Sequence, residues 1–468
     1  MKKYIKKVTM LCVIALLLSV MAACGSKNSS TESSSAATSS MEPSSTASES
    51  ASGTTAEPAK NLAGQEIKVW IQRYGQDPSI VTKLMEELAA KFKEETGIIA
   101  KPEIIDWGQA LTKYQLAVTG GDAPDVADLF WIQSFQKLGG DKMGPLKVND
   151  LAQEIGVDKF YEGSLYDVKV GDDFYGLPWR FDTRVLAYND NYFKEAGITE
   201  PPKTWDELIE DAKKLTKTDA KGNITRAGLL FFNNESRFDQ DYFSAVVQAG
   251  GKLFTDDLSA PAFDSPEAKE AAQFMQDAIY KHKVTPKNII DPSFNSVNEF
   301  LAGKAAMVFG MPADMKTVQE AQAPQLNGVM KAAVMPSKTG EGPSSVAFAA
   351  PISILASSKH IDAAKEWVKF FLREDNQLEV SKRLALLNSN KKVMADSYFT
   401  SNEWLKAFVD QAARTVYGDA PLSMWNQIDA FPDGPLPTYT TKLMFGKPID
   451  EILPEAIEKT KKIMADNK

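Results

Sequence analysis

From about residue 65, two kinds of hydrophobic pattern alternate along the chain. Short runs of mostly apolar residues, typical of strands, alternate with longer stretches in which apolar residues recur every three or four positions, typical of amphipathic helices. The predicted elements are, in chain order, a strand at 67–71, a helix at 79–96 ended by Gly97, a strand at 98–105, a helix through 112–118 and a strand at 125–130. This alternation predicts an α/β fold in which mixed sheets are covered by helices.

The first 23 residues have a different pattern, with a basic start, one apolar run and small residues at its end. Four lysines lie within the first seven residues, and the apolar run covers 8–20. The run is short for a permanent membrane anchor, and the layout is that of a secretory signal peptide over residues 1–23. The Met-Ala-Ala-Cys sequence that ends at Cys24 resembles the lipobox of bacterial lipoproteins, in which the cysteine becomes the acylated first residue. An ordinary cleavable signal or an uncleaved helix is the alternative.

Residues 24–62 form a segment rich in serine, threonine, alanine, glutamate and proline. Bulky apolar residues are almost absent there, so the segment cannot bury enough surface to offset the entropy of ordering it. We predict a flexible tether behind Cys24. The only other cysteine, Cys12, lies within the predicted signal peptide, so the mature chain has no intrachain disulfide and no cysteine-based metal site.

Composition narrows the function of the remaining residues, 65–468. The formal net charge of the chain is −9, which disfavours a broad nucleic-acid-binding surface. The two histidines, His282 and His360, lie in polar surroundings typical of exposed positions, which disfavours a histidine metal site or a Ser-His-Asp triad. No P-loop or GxGxxG pattern occurs, and no metal or other cofactor is predicted. After Cys24 no apolar segment is long enough to span a bilayer.

Polar and aromatic residues follow each of the first three predicted strands. Ligands of α/β sheets bind beyond the carboxyl ends of strands, so these positions are candidates for a site. They are Arg73 and Tyr74 after the first strand, Asp106, Trp107 and Gln109 after the second, and Trp131, Gln133 and Ser134 after the third. Sugar rings stack on aromatic side chains and pair their hydroxyls with amide, carboxylate and guanidinium groups, so the set predicts a carbohydrate site. The alternative is that Trp107 and Trp131 are packing residues at the ends of the sheet.

Helix boundaries are marked by further local signals. Thr204, followed three residues later by Glu207, predicts a capping box at the start of a helix, and Gly197 predicts the end of the preceding helix. A strand is predicted at 305–309, and Gly310 after it allows close approach of another chain segment. These signals concern structure and carry no information about the ligand.

Five blocks of sequence, taken in order, resemble the family 1 extracellular solute-binding proteins of ABC importers. The strongest of these blocks contains a tyrosine-asparagine-aspartate sequence followed by the start of the capped helix. The blocks are KVWIQRYGQDPSIVTKLMEELAAKFKEETGI, GDAPDVADLFWIQSFQKLGG, YGLPWRFDTRVLAYNDNYFKEAGITEPPKTWDELIEDAKKL, NEFLAGKAAMVFGMPADM and VAFAAPISILASSKHIDAAKEWVKFFL. They run through nearly all of residues 65–460, and together they identify the chain as a member of this family.

The resemblance implies a two-lobed periplasmic-binding-protein-like fold of type II, with mixed sheets and a hinge between the lobes. The implied division is lobe one at 65–180 plus 308–350 and lobe two at 181–307 plus 351–468, with chain crossings near 178–187, 306–311 and 348–353. Such a protein captures a solute outside the cell and delivers it to the permease subunits of an ABC importer when its lobes close. We expect a carbohydrate ligand and a monomer held at the outer face of the cell membrane by the lipid on Cys24.

The resemblance also implies which residues line the cleft. Trp131 falls where an aromatic of lobe one stacks on sugar, and Trp425 falls at a stacking aromatic of lobe two. Alanine at either position is expected to weaken binding while leaving the fold intact. Gln133 and Ser134 replace an Asp-Arg pair of maltose-type members, which argues against a maltodextrin ligand. The other implied residues are Trp179, Arg180, Asp182, Arg184, Gly310 and Met311.

The arginines near the crossing have two interpretations. Together with Arg73, they would suit an acidic sugar if they face the cleft. Alternatively, Arg180 and Arg184 form hinge salt bridges with Asp182 or Asp190.

An enzyme is the other class that the sequence leaves open. A tethered glycoside hydrolase or lyase needs two carboxylates across a cleft, and Asp106, Asp125 and Asp182 are candidates. A surface foldase or adhesin would show repeats or extended apolar surface, and no internal repeat occurs. We predict a binding protein and not an enzyme.

Overall fold

The computed structural model describes residues 61–74, 77–233 and 237–467. The predicted signal peptide, Cys24 and nearly all of the predicted tether lie outside the described residues. The strands are β1 Glu66–Gln72, β2 Ile99–Ile105, β3 Val126–Asp128, β4 Lys169–Val170, β5 Asp173–Phe174, β6 Leu177–Thr183, β7 Val185–Asn189, β8 Lys217–Thr218, β9 Ile224–Arg226, β10 Leu230–Phe231, β11 Met307–Met311, β12 Met330–Ala333, β13 Ser345–Ile354, β14 Leu387–Asn388 and β15 Thr415–Tyr417.

The α-helices are α1 Pro78–Thr96, α2 Trp107–Gly120, α3 Ile132–Met143, α4 Asn149–Ile155, α5 Asp190–Glu195, α6 Trp205–Leu215, α7 Asp239–Gln248, α8 Pro266–Tyr280, α9 Ser296–Leu301, α10 Met315–Gln322, α11 Ile361–Phe371, α12 Glu374–Leu384, α13 Lys391–Met394, α14 Ser397–Thr400, α15 Glu403–Ala412, α16 Trp425–Ile428, α17 Pro435–Met444 and α18 Ile449–Asp466. Within the described part of the chain, none of the helices has the length and apolar character needed to cross a membrane.

A seven-stranded sheet forms the centre of the first lobe. Its order is β14-β6-β13-β3-β1-β2, and β15 pairs with β13. β2 and β3 run parallel to β1, whereas β13 runs antiparallel to β3 and β6. α1 buries Leu84, Leu88 and Phe92 in the core of this lobe, where the rings of Phe92 and Trp367 lie 5.1 Å apart. The apolar residues whose spacing predicted α1 therefore form the face that the helix buries.

A four-stranded sheet forms the centre of the second lobe. Its order is β10-β11-β7-β12, with β10 parallel to β11 and β7 antiparallel to both β11 and β12. Helices α6, α7 and α8 add buried side chains to the core around it, and Trp205 stacks on Phe274 with ring centroids 4.3 Å apart. The core around the small sheet also takes in a few side chains of the large sheet, among them Phe181 and Val346.

The chain passes from one sheet to the other at Arg184. β6 of the large sheet ends at Thr183 and β7 of the small sheet begins at Val185, within the crossing predicted near 178–187. Later in the chain, some strands and helices belong to a different sheet from the one that the expected lobe boundaries imply. β11 and β12 belong to the small sheet and not to lobe one, because both pair with β7. α11 and α12 belong to the core of the large sheet and not to lobe two, because both pack on α1.

Local signals account for most of the element boundaries that the sequence predicted. Thr204 Oγ1 accepts a hydrogen bond from Glu207 N at 3.1 Å, and the Glu207 carboxylate accepts one from Thr204 N at 3.2 Å, as a capping box requires. Gly97 ends α1 with φ 73°. β3 ends earlier than predicted, at Asp128, and Trp131 precedes α3 with φ 58°, in the left-handed region that few non-glycine residues adopt.

Candidate functional site

The first predicted site residues surround a buried carboxylate, Asp128, at the end of β3. The Tyr74 hydroxyl donates to Asp128 Oδ2 at 2.5 Å, and Trp179 Nε1 donates to Asp128 Oδ1 at 3.4 Å. The rings of Tyr74 and Trp179 meet edge to face with centroids 5.1 Å apart. The two side chains are only 3% and 2% exposed, so they pack inside the first lobe in this conformation and do not line an open cleft.

Asp128 is expected to make the stability of the protein depend on pH. Burial raises the pKa of Asp128 to about 7, although the hydrogen bonds from Tyr74 and Trp179 act in the opposite direction. Between the ordinary pKa of 3.8 and about 7, the folded state keeps a proton that the unfolded state has lost, so the free energy of unfolding falls as the pH rises and is level above that range.

Between pH 5 and pH 8, the free energy of unfolding of the wild-type protein should fall by about 2–3 kcal/mol more than that of Asp128→Asn. Asparagine is neutral throughout and keeps a similar shape, so the variant removes this titration and leaves the others in place. Urea unfolding at several pH values measures the difference. Parallel pH profiles for the two proteins would show that Asp128 does not titrate in this way.

A second group of predicted residues lies at the surface beyond β1 and β2. Arg73 Nη1 lies 3.3 Å from Asp106 Oδ2, and both side chains are about half exposed. Trp107 is 41% exposed, and its Nε1 donates to Arg73 O at 2.6 Å. Gln109 is also exposed. These residues lie close together, as expected for residues that follow neighbouring strands, but Arg73 already has an acidic partner.

Trp131 and Gln133 lie near Trp425 around a narrow space, which we call the Trp131 pocket. Its walls are Phe130, Trp131, Gln133, Asp167, Ala349, Pro351, Asp419, Ala420, Leu422 and Trp425. In this conformation the space has a volume of about 10 Å³, enough for one water molecule. The structure therefore joins three of the predicted ligand-binding residues, one of them more than 290 residues away from the others in sequence.

The two tryptophans of the Trp131 pocket differ in burial. Trp131 is half-buried and lies at the start of α3. Trp425 is 2% exposed, and its ring packs on Phe243 and Phe254 with centroid distances of 5.7 and 6.1 Å. Trp425 is thus part of the second-lobe core, and its burial predicts that alanine there opens a cavity and lowers stability, in contrast to the expectation from sequence that the fold is left intact.

Gln133 and Ser134, which depart from the maltose-type pattern, both hold neighbouring backbone. Gln133 Nε2 donates to Lys169 O at 2.7 Å, and Ser134 Oγ donates to Ser423 O at 2.7 Å. The second bond joins α3 to the segment before α16. These side chains thus position the walls of the Trp131 pocket.

Asp182 lies between two arginines where the chain passes from the large to the small sheet. Arg184 Nη1 donates to Asp182 Oδ2 at 2.8 Å, and Arg180 Nη2 donates to the same oxygen at 3.0 Å. Burial alone would raise the pKa of Asp182, but the charges of Arg184 and Arg180 outweigh it and hold the pKa below its ordinary value. The salt-bridge interpretation of the arginines holds for Asp182, whereas Asp190 pairs with Lys194 at 2.7 Å.

A larger cavity, which we call the Asp241 pocket, opens beside Arg184. Its volume is about 330 Å³, and its walls are Arg184, Phe232, Arg237, Gln240, Asp241, Gly310 and Phe431. Arg184 and Gly310 belong to the predicted set, but Met311 is fully buried in β11. The other wall residues were missed for two reasons: Arg237, Gln240, Asp241 and Phe431 do not follow a strand, and for Phe232 the ends of only the first three strands were considered. Phe232 directly follows β10, and considering the end of that strand as well would have found it.

Carboxylates surround Arg237, one of the two arginines of the Asp241 pocket. Arg237 Nη2 lies 2.9 Å from Asp239 Oδ2 and 2.6 Å from Asp429 Oδ2. Burial raises the pKa of Asp419 to about 6 and that of Asp429 well above its ordinary value. Carboxylates with raised pKa values in a cleft are candidates for a functional site. In the described part of the chain, no three histidine, cysteine, aspartate or glutamate side chains are grouped so that they could hold a metal ion.

Comparison with protein families decides the class of this protein. Residues 77–378, well over half of the chain, match the model of the bacterial extracellular solute-binding proteins. The chain belongs to this family. Members of the family are binding proteins, and the resemblance stated from the five sequence blocks is confirmed.

Two relatives of this solute-binding protein extend the match over most of its length. The diacetylchitobiose binding protein DasA of Streptomyces coelicolor is 27% identical over 400 residues, which cover 83% of this chain and 87% of that protein. The galactooligosaccharide-binding protein of Bacillus subtilis is 25% identical over 426 residues, which cover 88% of this chain and 87% of that protein. Each of these two matches thus covers more than four-fifths of both chains.

Solved structures of solute-binding proteins have the same fold. The sugar-binding protein MalE from Xanthomonas citri has a TM-score of 0.74 at 21% identity and covers 86% of this chain and 98% of its own. An ABC transporter solute-binding protein from Thermotoga lettingae, bound with α-D-tagatose, has a TM-score of 0.68 at 23% identity and covers 86% of this chain and all of its own. At these identities the likeness concerns the fold alone. The two-lobed α/β fold expected from the resemblance is confirmed by these structural neighbours, which are solute-binding proteins.

The carboxylates proposed for an enzyme have other partners in this solute-binding protein. Asp125 accepts hydrogen bonds from Lys68 N at 2.7 Å and from Ser358 Oγ at 2.5 Å, behind β1 and β13. Asp106 caps α2 at the surface by accepting a bond from Gly108 N at 3.0 Å. Asp182 is held by its two arginines. This arrangement gives the enzyme alternative no support.

Proposed function

We propose that this solute-binding protein captures a sugar outside the cell and delivers it to the permease subunits of an ABC importer. The observation that carries the proposal is the Asp241 pocket, about 330 Å³ in volume, whose walls combine aromatic rings with amide, carboxylate and guanidinium groups. Aromatic faces and hydrogen-bonding side chains together suit the apolar faces and hydroxyls of a sugar. The relatives whose names specify sugars are consistent with this ligand class.

Hinge motion about the crossing at Arg184 is the proposed mechanism. Residues 65–183 with the large-sheet strands β13 and β14 would move against the small sheet and its helices. A ligand shifts such an equilibrium only by binding one arrangement better than the other, so it must touch both lobes. The Trp131 pocket, with Trp131 on the first lobe and Trp425 in the core of the second, would supply such contacts. A monomer is sufficient for this mechanism.

A thermal-shift screen of the purified protein against neutral sugars tests the proposed function. A sugar at a concentration of 100 Kd should stabilise the folded state by about 2.7 kcal/mol and raise Tm accordingly. Calorimetry of the strongest hit should give one site per chain, and the sugar should be recovered unchanged. Hydrolysis of the hit by the protein would favour the enzyme, and a screen of mono- and oligosaccharides without any shift would remove the proposed ligand class.

We also propose that the protein is held at the outer face of the cell membrane by a lipid on Cys24. The proposal rests on the lipobox-like sequence and on the membership of an extracellular family. A diacylglyceryl group has two chains, whereas a single chain gives only marginal membrane binding.

We expect Cys24→Ala to release most of the protein from cells into the medium, because the acceptor of the lipid is lost. Cys12→Ala is the matched control, since Cys12 lies in the predicted signal peptide and its loss should leave the protein on the cells. Immunoblots of cell and medium fractions measure the partition. Retention of Cys24→Ala on the cells to the same extent as wild type would contradict the anchor.

A further inference from the structure

Two aspartates, Asp167 and Asp419, lie in the walls of the Trp131 pocket. Asp167 precedes β4 in the first lobe, where Gln133 Nε2 of α3 donates to the backbone oxygen of Lys169, two residues further on, at 2.7 Å. The Oδ2 atom of Asp167 accepts a hydrogen bond from Ala349 N of β13, also at 2.7 Å. The position of Asp167 is therefore fixed by α3 and β13.

Asp419 reaches the same space from the other side. It follows β15, and Ala420 and Trp425, which come soon after it, are buried in the core of the second lobe. Ser134 Oγ of α3 donates to Ser423 O, so segments of the two lobes are in contact here. In this conformation the space between them is about 10 Å³. Closure thus brings the two carboxyl groups together around room for a single water molecule.

Both carboxyl groups retain their protons to a higher pH than they would in water. Burial raises the pKa of Asp167 well above its ordinary value, and the negative charge of Asp419 raises it further. Burial also raises the pKa of Asp419 to about 6. Two carboxylates that share a small space with little water repel each other when both are ionised. The contact between the lobes therefore favours the protonated pair.

Other charged groups face Asp419 from the second lobe. Arg237 and Arg184 lower the pKa of Asp419, whereas Asp239 raises it. Asp429 in turn feels the charge of Asp419, which raises its own pKa. Both arginines already pair with other carboxylates, as described above. They reduce the repulsion across the Trp131 pocket without removing it.

The titratable residues next to Asp167 in sequence are engaged elsewhere. The ring of Tyr166 packs on that of Tyr417 with centroids 5.1 Å apart. Lys169 Nζ lies 4.6 Å from the centre of the Phe174 ring. The charge that acts on Asp167 therefore comes from across the pocket.

We propose that Asp167 and Asp419 form a pH-dependent switch at the contact between the lobes, which stabilises closure when the pair holds a proton and opposes it when both groups are ionised. The proposal rests on the proposed function, because it adds regulation by pH to the closure of the same lobes. Protons then act as a second ligand of the closed form and favour it by its stronger proton binding.

The size of the effect follows from the titration of Asp419. If opening returns its pKa from about 6 to the ordinary 3.8, the ratio of closed to open molecules rises about ten-fold as the pH falls from 8 to 5. Asp167 adds to this change in the same direction, since its pKa is also raised. The sign is that acid favours closure.

Small-angle X-ray scattering of the purified protein without sugar tests the switch. We expect the radius of gyration to be smaller at pH 5 than at pH 8, with a ratio of closed to open molecules at least about ten-fold higher. The double variant Asp167→Asn/Asp419→Asn should lose most of this dependence and stay closed at pH 8, because neither amide ionises. Each single variant should lose part of it.

Control variants separate the switch from general effects of charge and from the proposed function. Asp172→Asn makes the same chemical change in the exposed turn between β4 and β5 and should keep the pH dependence of the wild type. Urea unfolding at pH 7 shows that the variants are folded. If the wild type has the same radius of gyration at both pH values, or if the double variant keeps the full pH dependence, the switch is wrong. Sugar capture would still stand, because it is tested separately by the thermal-shift screen.

Discussion

Trp425→Ala is expected to destabilise the folded protein by about 3–5 kcal/mol, the usual cost of removing a large aromatic side chain from a core. The ring is 2% exposed and packs on Phe243 and Phe254, both of which belong to the core of the second lobe. Alanine would lose these contacts and leave a cavity that the surrounding helices can fill only in part. Urea unfolding at neutral pH measures the loss as a lower midpoint with a similar slope.

The matched control for this substitution is Trp107→Ala. Trp107 is a tryptophan of the same predicted set, but it is 41% exposed, and its loss should cost about 1 kcal/mol. Trp425→Phe keeps most of the buried volume and should lie between the two. Equal losses for Trp425→Ala and Trp107→Ala would contradict the placement of Trp425 in the core. A loss of ligand binding in Trp425→Ala must be judged at a temperature where the variant is folded.

The parts of the fold that could be predicted are those determined by neighbours in sequence. α1 buries Leu84, Leu88 and Phe92 because their spacing places them on one helical face, and the Thr204 capping box joins residues three positions apart. The membership of β11 in the small sheet could not be read in this way. It depends on pairing with β7, more than a hundred residues earlier, and several arrangements of strands satisfy the same hydrophobic pattern.

The candidate site was predictable only in part for a related reason. The sequence showed which aromatic residues follow strands, but it did not show which of them are exposed. Tyr74 and Trp107 follow neighbouring strands, yet Tyr74 is buried and Trp107 is half exposed. Asp241 lies in the first turn of α7 and resembles an ordinary acidic residue near a helix N-terminus. Only the fold shows that it is opposite Gly310, with one oxygen unpaired.

Asp182→Asn is expected to destabilise the protein by about 3–5 kcal/mol at neutral pH, because it leaves two guanidinium groups near each other without the carboxylate between them. Asp182 is 7% exposed, and a single one of its oxygens accepts from both Arg180 and Arg184. Asp410→Asn is the matched control, since Asp410 pairs with Lys406 at 2.6 Å on the surface of α15 and its loss should cost less than about 1 kcal/mol.

The pH dependence of the same pair of variants tests the cause of the loss. The pKa of Asp182 is held below its ordinary value of 3.8, so its stabilising contribution is complete above that pH and is lost as the pH falls through the lower pKa of the folded state. The difference between wild type and Asp182→Asn should therefore be constant from pH 5 to pH 8 and become smaller below pH 3. If the stability difference between the two proteins stays the same down to pH 2, the loss comes from altered packing. The charge of Asp182 would then not be what holds the two arginines at the crossing.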